Sequence, residues 1–299
     1  MMTPITLNAF AKINLSLTIT GRRDDGYHLM DSLVVFATLA DVITLAPAAK
    51  DHFTITGDEA ASLHQTDHRD NLITAAIRAY RKASGWDQPL AIHLEKNIPV
   101  AAGIGGGSSD AAAVIAGLNH HCPSPLAIQD LMALGLTLGA DVPVCLAKQL
   151  QPDALSWRMQ GIGEDISTLS LTPLGSAGLI LINPKISLST KDVFIRLNYS
   201  PSPQNKPHQS PRDFQTPDEL SHWLKRGNDL LPPARELSPA IGSSLNGLSQ
   251  LSSHQGYLAH GMSGSGATCF ALFSSPDLAH DAAKALDQES RWRWVGALA

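Results

Sequence analysis

The chain has 299 residues, 43% of them hydrophobic, and a formal net charge of -5. That length and apolar content suit a two-domain globular protein with full cores, and the acidic balance, without any long lysine or arginine run, excludes the basic face a nucleic-acid binder needs. No stretch of about 18 apolar residues reads as a membrane span, the N-terminal MMTPITLNAF lacks the features of an export signal, and three scattered cysteines, Cys122, Cys145 and Cys269, suit reduced thiols, so a cytoplasmic protein is expected.

From Ile5 to Ile19 the odd positions are apolar and the even ones, Phe10 apart, are polar, which is the period-2 pattern of a strand. At about 3.3 Å per residue such a strand would span roughly 50 Å, so a bend or break near its middle is expected. Lys12 and Asn14 share its polar face. Gly21 to His28, GRRDDGYH, reads as a polar loop, and LVVFA, DVITL and FTITG between Leu33 and Gly57 read as a three-strand meander. Asn71 begins an amphipathic helix with apolar residues at Leu72, Ala75, Ala76, Ala79 and Tyr80 that Gly85 stops, and Leu90, Ile92 and Leu94 alternate as the next strand.

That strand delivers the most informative stretch, NIPVAAGIGGGSSDAAAVIAG from Asn97 to Gly117. Gly103, Gly105, Gly106 and Gly107 predict a loop, because glycine in an element interior loses backbone entropy and has no side chain to pack. Ser108, Ser109 and Asp110 then offer N-cap chemistry to a helix over Ala111–Leu118. A glycine loop feeding a helix N-terminus presents unpaired N–H groups and the positive dipole end, which is a phosphate site. The spacing matches neither the Walker loop, since no lysine follows the glycines, nor the dinucleotide fingerprint, since Ser108 stands at its third glycine. His120, His121 and Cys122 point apart on a helix end and make no metal site.

Downstream, Ser124-Pro125 reads as the cap of a leucine-rich helix that Gly139 ends, and Asp141 lies in a constrained loop before the apolar run VPVCLA. An irregular segment is expected over 146–160. GLILI at Gly178 is a buried strand, Thr190 to Leu197 a helix, and Tyr199 to Pro217 an exposed loop rich in proline and serine. Helical pieces over Asp218–Arg226 and Ala234–Leu251 follow. Then come the strand GYLAH, the glycine turn Gly261–Gly266, the strand ATCFALF, a helix over Asp277–Leu286 and a strand through Arg291–Val295, an α+β alternation.

Three separated motifs give this pattern a family resemblance. A-K-I-N-L at Ala11–Leu15, P-x-x-x-G-x-G-G-G-S-S at Pro99–Ser109 and G-M-S-G-S-G at Gly261–Gly266 resemble, in order, the three motifs of the GHMP kinase superfamily, with L-G-A-D-V-P at Leu138–Pro143 between the last two. The resemblance implies an ATP-binding, ribosomal-protein-S5-like N-terminal domain over 1–165 and a ferredoxin-like, substrate-binding C-terminal domain over 166–299. It implies Lys12 and Asp141 as the catalytic pair, the carboxylate accepting the proton of the attacking hydroxyl. ATP would lie on Pro99, Val100, Ala101, Ala102, Gly103, Ile104, Gly105, Gly106, Gly107, Ser108 and Ser109, with a serine hydroxyl reaching Mg2+ or phosphate. Substrate would lie against Asn14, Tyr27, His28, Thr190, Asn228, Asp229, Gly264 and Ser265.

G-R-R-x-D-G-Y-H at Gly21–His28 further resembles the substrate segment of those members that phosphorylate the 2-hydroxyl of a cytidyl-diphosphate sugar alcohol in non-mevalonate isoprenoid synthesis. Tyr27 and His28 would then stack on the pyrimidine. The expected partner is a small molecule, with no nucleic acid or membrane and a monomer or weak homodimer. Two alternatives stay open: a homoserine- or mevalonate-type kinase of the same superfamily, which has no reason for GRRDDGYH, and an S5-like nucleic-acid module, which the charge disfavours.

Overall fold

The computed structural model describes residues 3–63, 71–197, 199, 213–286 and 292–299. Its strands are β1 (Ile5–Arg22), β2 (His28–Pro47), β3 (His52–Thr56), β4 (Leu90–Glu95), β5 (Ser156–Gly161), β6 (Asp165–Thr168), β7 (Ser170–Leu171), β8 (Gly178–Asn183), β9 (Asp213–Phe214), β10 (Tyr257–Met262), β11 (Cys269–Phe273) and β12 (Trp292–Ala297). Its helices are α1 (Leu72–Ser84), α2 (Gly106–His121), α3 (Ile128–Leu138), α4 (Val142–Leu150), α5 (Thr190–Arg196), α6 (Pro217–Leu224), α7 (Leu231–Leu237), α8 (Ala240–Ser249) and α9 (Pro276–Ala283). They form two compact units that alternate along the chain: Met1–Ala11, Leu39–Val100 and Gly105–Asp153 make the first, and Lys12–Thr38, Ala101–Ile104 and Ala154–Ala299 the second. The expected boundary at residue 165 falls at the first residue of β6.

In the first unit, α1 starts where the Asn71 side chain accepts the Ile73 N–H and stops at Gly85, whose φ of 70° is left-handed. Its stripe Ile73, Ala76, Ile77 and Tyr80 is buried, and α1 packs on α2, which packs on α4. β3 pairs parallel with β4, and β4 runs antiparallel to residues 42–47 of β2. The expected meander is therefore corrected: LVVFA and DVITL belong to the single strand β2, and FTITG joins β4 rather than β2. β1 is likewise unbroken over 18 residues.

Helix starts also shift from their sequence positions. Glycine is admitted to the first turn of α2, whose N-cap is Gly105 at φ 66° with no side-chain cap, so Ser108, Ser109 and Asp110 lie inside the helix instead of capping it. Ser124 caps nothing, because α3 begins only after Ala127. The VPVCLA run is helical and makes α4, with Asp141 as its N-cap residue and Pro143 in its first turn. Segment 146–160 is regular, being the end of α4, a short connection and β5.

In the second unit, residues 30–35 of β2 pair antiparallel with β5, and β5 with β6. A four-stranded antiparallel sheet has the order β10-β11-β8-β12. The chain path strand, helices, two strands, helix, strand with β8 and β11 central is the ferredoxin-like arrangement. α8 and α9 pack on it, and their apolar residues Ile241, Leu248, Ala279 and Ala282 share one core with Ile180, Ile182, Ala271 and Phe273. The helical piece expected over Ala234–Leu251 is two helices, because Ser238-Pro239 interrupts it. The loop expected over Tyr199–Pro217 lies largely outside the described residues. Its end is ordered: Phe214 is buried in β9 beside β7, and Thr216 with Glu219 forms a reciprocal capping box for α6. Arg291 also lies outside the described residues, and β12 starts at Trp292.

Candidate active site

Three stretches of the second unit meet at Gly103. Its φ is 75°, and a Cβ placed on it would lie 2.2 Å from the carbonyl oxygen of Gly266, so backbone meets backbone with no room for a side chain. The Ser263 hydroxyl donates to the Gly103 carbonyl (3.1 Å) and accepts the N–H of Asn14 (3.1 Å), which joins β1, the glycine loop and the third motif through one side chain. Thr268 donates its N–H (3.1 Å) and its hydroxyl (2.7 Å) to the Ala102 carbonyl. Asn228 steadies the third motif from another side, donating to the carbonyls of Met262 (2.8 Å) and Gly264 (2.7 Å).

Of the residues expected to face substrate, this arrangement gathers Asn14, Asn228, Gly264, Ser265 and Thr190, the last two joined hydroxyl to hydroxyl at 2.7 Å. A cavity of about 550 Å³ lies beside them, walled by Ala101, Gly103, Ser189, Thr190, Leu237 and Gly266. Asp229 has a fastening place instead. Its carboxylate accepts the Ile19 N–H (2.7 Å) and its own N–H donates to Leu17, while burial raises its pKa against the pull of that hydrogen bond.

β1 carries the lysine. The even-numbered face read as polar is itself buried: Lys12, Asn14 and Ser16 are all 3% exposed or less. The Lys12 ammonium donates to Asn14 Oδ1 (2.8 Å), and the Lys12 N–H donates to the Ile104 carbonyl (2.9 Å), which ties the strand to the end of the loop segment. At the end of this strand, Arg23 N–H donates to the Tyr27 carbonyl and closes the GRRDDGYH turn.

The turn leaves Tyr27 64% exposed and starts β2 at His28. His28 stacks on Phe194 of α5, centroids 5.2 Å apart and planes inclined by 27°, and meets the edge of Tyr199 at 6.1 Å. Burial, with Arg22 nearby, lowers the His28 pKa, so the ring is neutral at pH 7. Phe194 and Tyr199 are aromatic partners that the sequence reading missed. Their one signal is an aromatic residue four positions into a helix begun by Thr190.

In the first unit the helical half of the glycine stretch rests on a buried ionic cluster. Lys96 donates to Asp41 and to Asp110 Oδ2 (3.0 Å), and Asp41 Oδ1 accepts the N–H groups of Asn97 (2.6 Å) and Ile98 (2.8 Å). All three side chains are at most 5% exposed. Asp110 Oδ1 is buried with no hydrogen-bond partner among the described residues. Burial, outweighing the attraction of Lys96, pushes the Asp110 pKa up to about 8. Burial works against the charge on Lys96, but the two aspartates raise its pKa.

A Cβ on Gly106 would point into this cluster, 3.0 Å from Ile98 Cγ2 and 3.1 Å from Lys96 Nζ, whereas one on Gly107 would meet nothing within 4 Å. The open side of the helix start is therefore at Gly107, and that bare backbone fits a phosphate. Pro99 ends the approach from β4, Val100 and Ala101 are exposed, and Ala101 takes a φ of 55°. Ser109 is buried and its hydroxyl donates to the Phe10 carbonyl (2.7 Å), so it is committed inside the protein; Ser108 is half-buried. Asp141 is half-buried at the start of α4 and makes no side-chain cap there. Among the described residues no group of three or more His, Cys, Asp or Glu is placed to hold a metal, and no helix is long and apolar enough to cross a membrane.

Comparison with known proteins adds names to this geometry. Residues 71–149 match the family model of the GHMP kinases N terminal domain, and residues 209–291 that of the GHMP kinases C terminal domain. The 4-diphosphocytidyl-2-C-methyl-D-erythritol kinase of Agrobacterium fabrum is 42% identical over 92% of this chain and 89% of its own length. The kinase of the same description from Mesorhizobium japonicum is 44% identical over 93% of this chain and 90% of its own. The crystal structure of a 4-(cytidine 5'-diphospho)-2C-methyl-D-erythritol kinase superposes with a TM-score of 0.73 at 31% identity, covering 98% of this chain and 99% of that one.

Three outcomes follow from the first unit's half of the stretch. Gly106→Val overpacks Ile98 and Lys96 and should lower stability by about 1–3 kcal/mol in urea unfolding. Gly107→Val should melt like the wild type yet bind an ATP analogue at least about tenfold more weakly by calorimetry; unchanged affinity would make the stretch a mere connection.

The third outcome concerns pH. Above its ordinary value of 3.8 the unfolded Asp110 carboxyl is ionised, while the folded one keeps its proton up to about 8. The folded state thus binds the extra proton, and its contribution to stability declines as pH rises from 5 to 8. The urea midpoint of the wild type should fall over that window relative to Asp110→Asn, and parallel curves would refute the assignment.

Proposed function

The chain belongs to the GHMP kinase family, and on that premise we propose that it transfers the γ-phosphoryl group of ATP to the 2-hydroxyl of 4-diphosphocytidyl-2-C-methyl-D-erythritol. The carrying observation is the identity of 42% and 44% with kinases of that description over nearly the whole of both chains. The meeting of all three motif stretches at Gly103 supports it, since phosphoryl transfer asks a protein mainly to position reactants and to stabilise spread negative charge.

In this reading the backbone N–H groups around Gly105–Gly107, at the N-terminus of α2, hold the ATP phosphates. The half-buried Ser108 hydroxyl would help hold Mg2+, which takes most of its ligands from phosphate and water and would supply neutralisation of phosphate charge. Asp141 accepts the proton of the attacking hydroxyl. Lys12, held by Asn14, supplies positive charge to the transferring group. Thr190, whose hydroxyl pairs with that of Ser265, borders the cavity in which the sugar-alcohol end rests. Tyr27, His28 and Phe194 form the pyrimidine platform, one face of His28 being already covered by Phe194. The three buried, free cysteines support a reducing compartment, the cytoplasm.

Asp141→Asn and Lys12→Met should each lower kcat by about 10² or more while ATP affinity changes little. A coupled ADP-release assay with the cytidyl substrate, mevalonate and homoserine checks both the variants and the choice of substrate. Turnover of the latter two alone would move the protein to another branch of the family, and a variant keeping a tenth of wild-type kcat would lose its catalytic role.

Removing the platform has a separate signature. Phe194→Ala and His28→Ala should weaken binding of the cytidyl substrate by about 1–3 kcal/mol and leave the KM for ATP in place, whereas His28→Phe should recover part of the loss. Unaltered KM for the cytidyl substrate in all three would exclude the aromatic cluster from substrate recognition.

A further inference from the structure

A chain of buried hydrogen bonds runs away from Lys12 through the second unit. Lys12 Nζ donates to Asn14 Oδ1 (2.8 Å), Asn14 Nδ2 donates to Ser32 Oγ (2.8 Å), and Ser32 Oγ donates to the Ser16 carbonyl (2.6 Å). Ser16 is held in turn, its hydroxyl accepting from Trp223 Nε1 (3.2 Å) and from the Leu33 N–H (3.4 Å). Every side chain between Lys12 and Ser16 is 3% exposed or less, so water does not substitute for a missing partner.

The direction of this chain is fixed at its far end. A peptide carbonyl only accepts, so the single Ser32 proton goes to Ser16 and Ser32 offers Asn14 a lone pair. Asn14 must answer with its NH2 group, which leaves its carbonyl oxygen facing the ammonium. With the amide turned over, two donors would face each other at Lys12 and two acceptors at Ser32. The register of β1 against β2 makes this possible by placing Ser32 beside Asn14 and Ser16.

We infer that Ser32 is a positioning residue for phosphoryl transfer: by sending its proton to the Ser16 carbonyl it sets the orientation of the Asn14 amide and so the place of the Lys12 ammonium. This rests on the reading of Lys12 as a catalytic group. Ser32 touches neither substrate nor nucleotide in this scheme, and its effect passes entirely through Asn14 and Lys12.

The test is a set of Ser32 variants and a double-mutant cycle with Lys12→Met, measured by steady-state kinetics on the full chain. Ser32→Ala, and Ser32→Cys, which keeps the volume but bonds weakly, should each lower kcat about tenfold or more, the scale of a lost hydrogen bond to a charged group, with both KM values within about twofold. Ser32→Thr, which keeps the hydroxyl, should retain most of the wild-type kcat. In the Lys12→Met background Ser32→Ala should cost nothing further. A full extra loss in that background, or a rise in KM without a fall in kcat, would overturn the positioning role alone. Lys12→Met turning over like the wild type would instead remove the reading beneath it.

Discussion

Gly103 and Gly266 touch through their backbones, and most of the second unit's site depends on that approach. A Cβ on Gly103 would fall 2.2 Å from the facing carbonyl oxygen, and one on Gly264 would fall 3.0 Å from the Gly103 oxygen. Because no side chain intervenes, the loop carbonyls come within reach of the hydroxyls of Ser263 and Thr268, and Ser263 can also take the N–H of Asn14. One close contact thus sets the distances between a lysine-bearing strand, the glycine loop and the third motif. That backbone approach alone requires glycine at these positions.

The first unit meets the same demand for rigidity by ionic means. Asp41 holds the backbone N–H groups of Asn97 and Ile98 just before the loop, Lys96 reaches from Asp41 to Asp110, and Asp110 sits within the first turns of α2. The approach to the loop and the helix that leaves it are therefore clipped to one buried cation. Such a cluster is a weak source of net stability, since desolvation offsets much of its attraction, but it admits few arrangements of the backbone around it.

The family and the order of elements were legible because they rest on local signals: alternation in Ile5–Ile19, the helical stripe after Asn71, and glycines at fixed spacing. What misled was local as well. Ser108, Ser109 and Asp110 look like caps, but the left-handed Gly105 already turns the chain, so the helix starts earlier and Ser109 is spent on the Phe10 carbonyl. LVVFA and DVITL look like two strands because nothing in the sequence shows that one strand of 20 residues finds β5 along one part and β4 along another. Phe194 and Ser32 were invisible for a different reason, and Ser263, though inside the third motif, gave no sign of its partners. Each is an ordinary residue whose partner lies far away in sequence, as Asn14 does from Ser263, 249 positions on. Lys96 carried no signal of its own in the sequence, and only Asp41, 55 residues earlier, makes it a core residue.

That sequence distance also bears on how the protein is made. The first half of the glycine loop takes its hydrogen bonds from Ser263 and Thr268, about 160 residues later in the chain, so a ribosome must add all of that length before Ala102 and Gly103 find their partners. Until then the loop carbonyls remain with solvent, and closing so long a stretch of chain is entropically slow. An emerging chain therefore carries the glycine sequence without its folded shape, and the loop takes that shape only as β10 and β11 join the β10-β11-β8-β12 sheet.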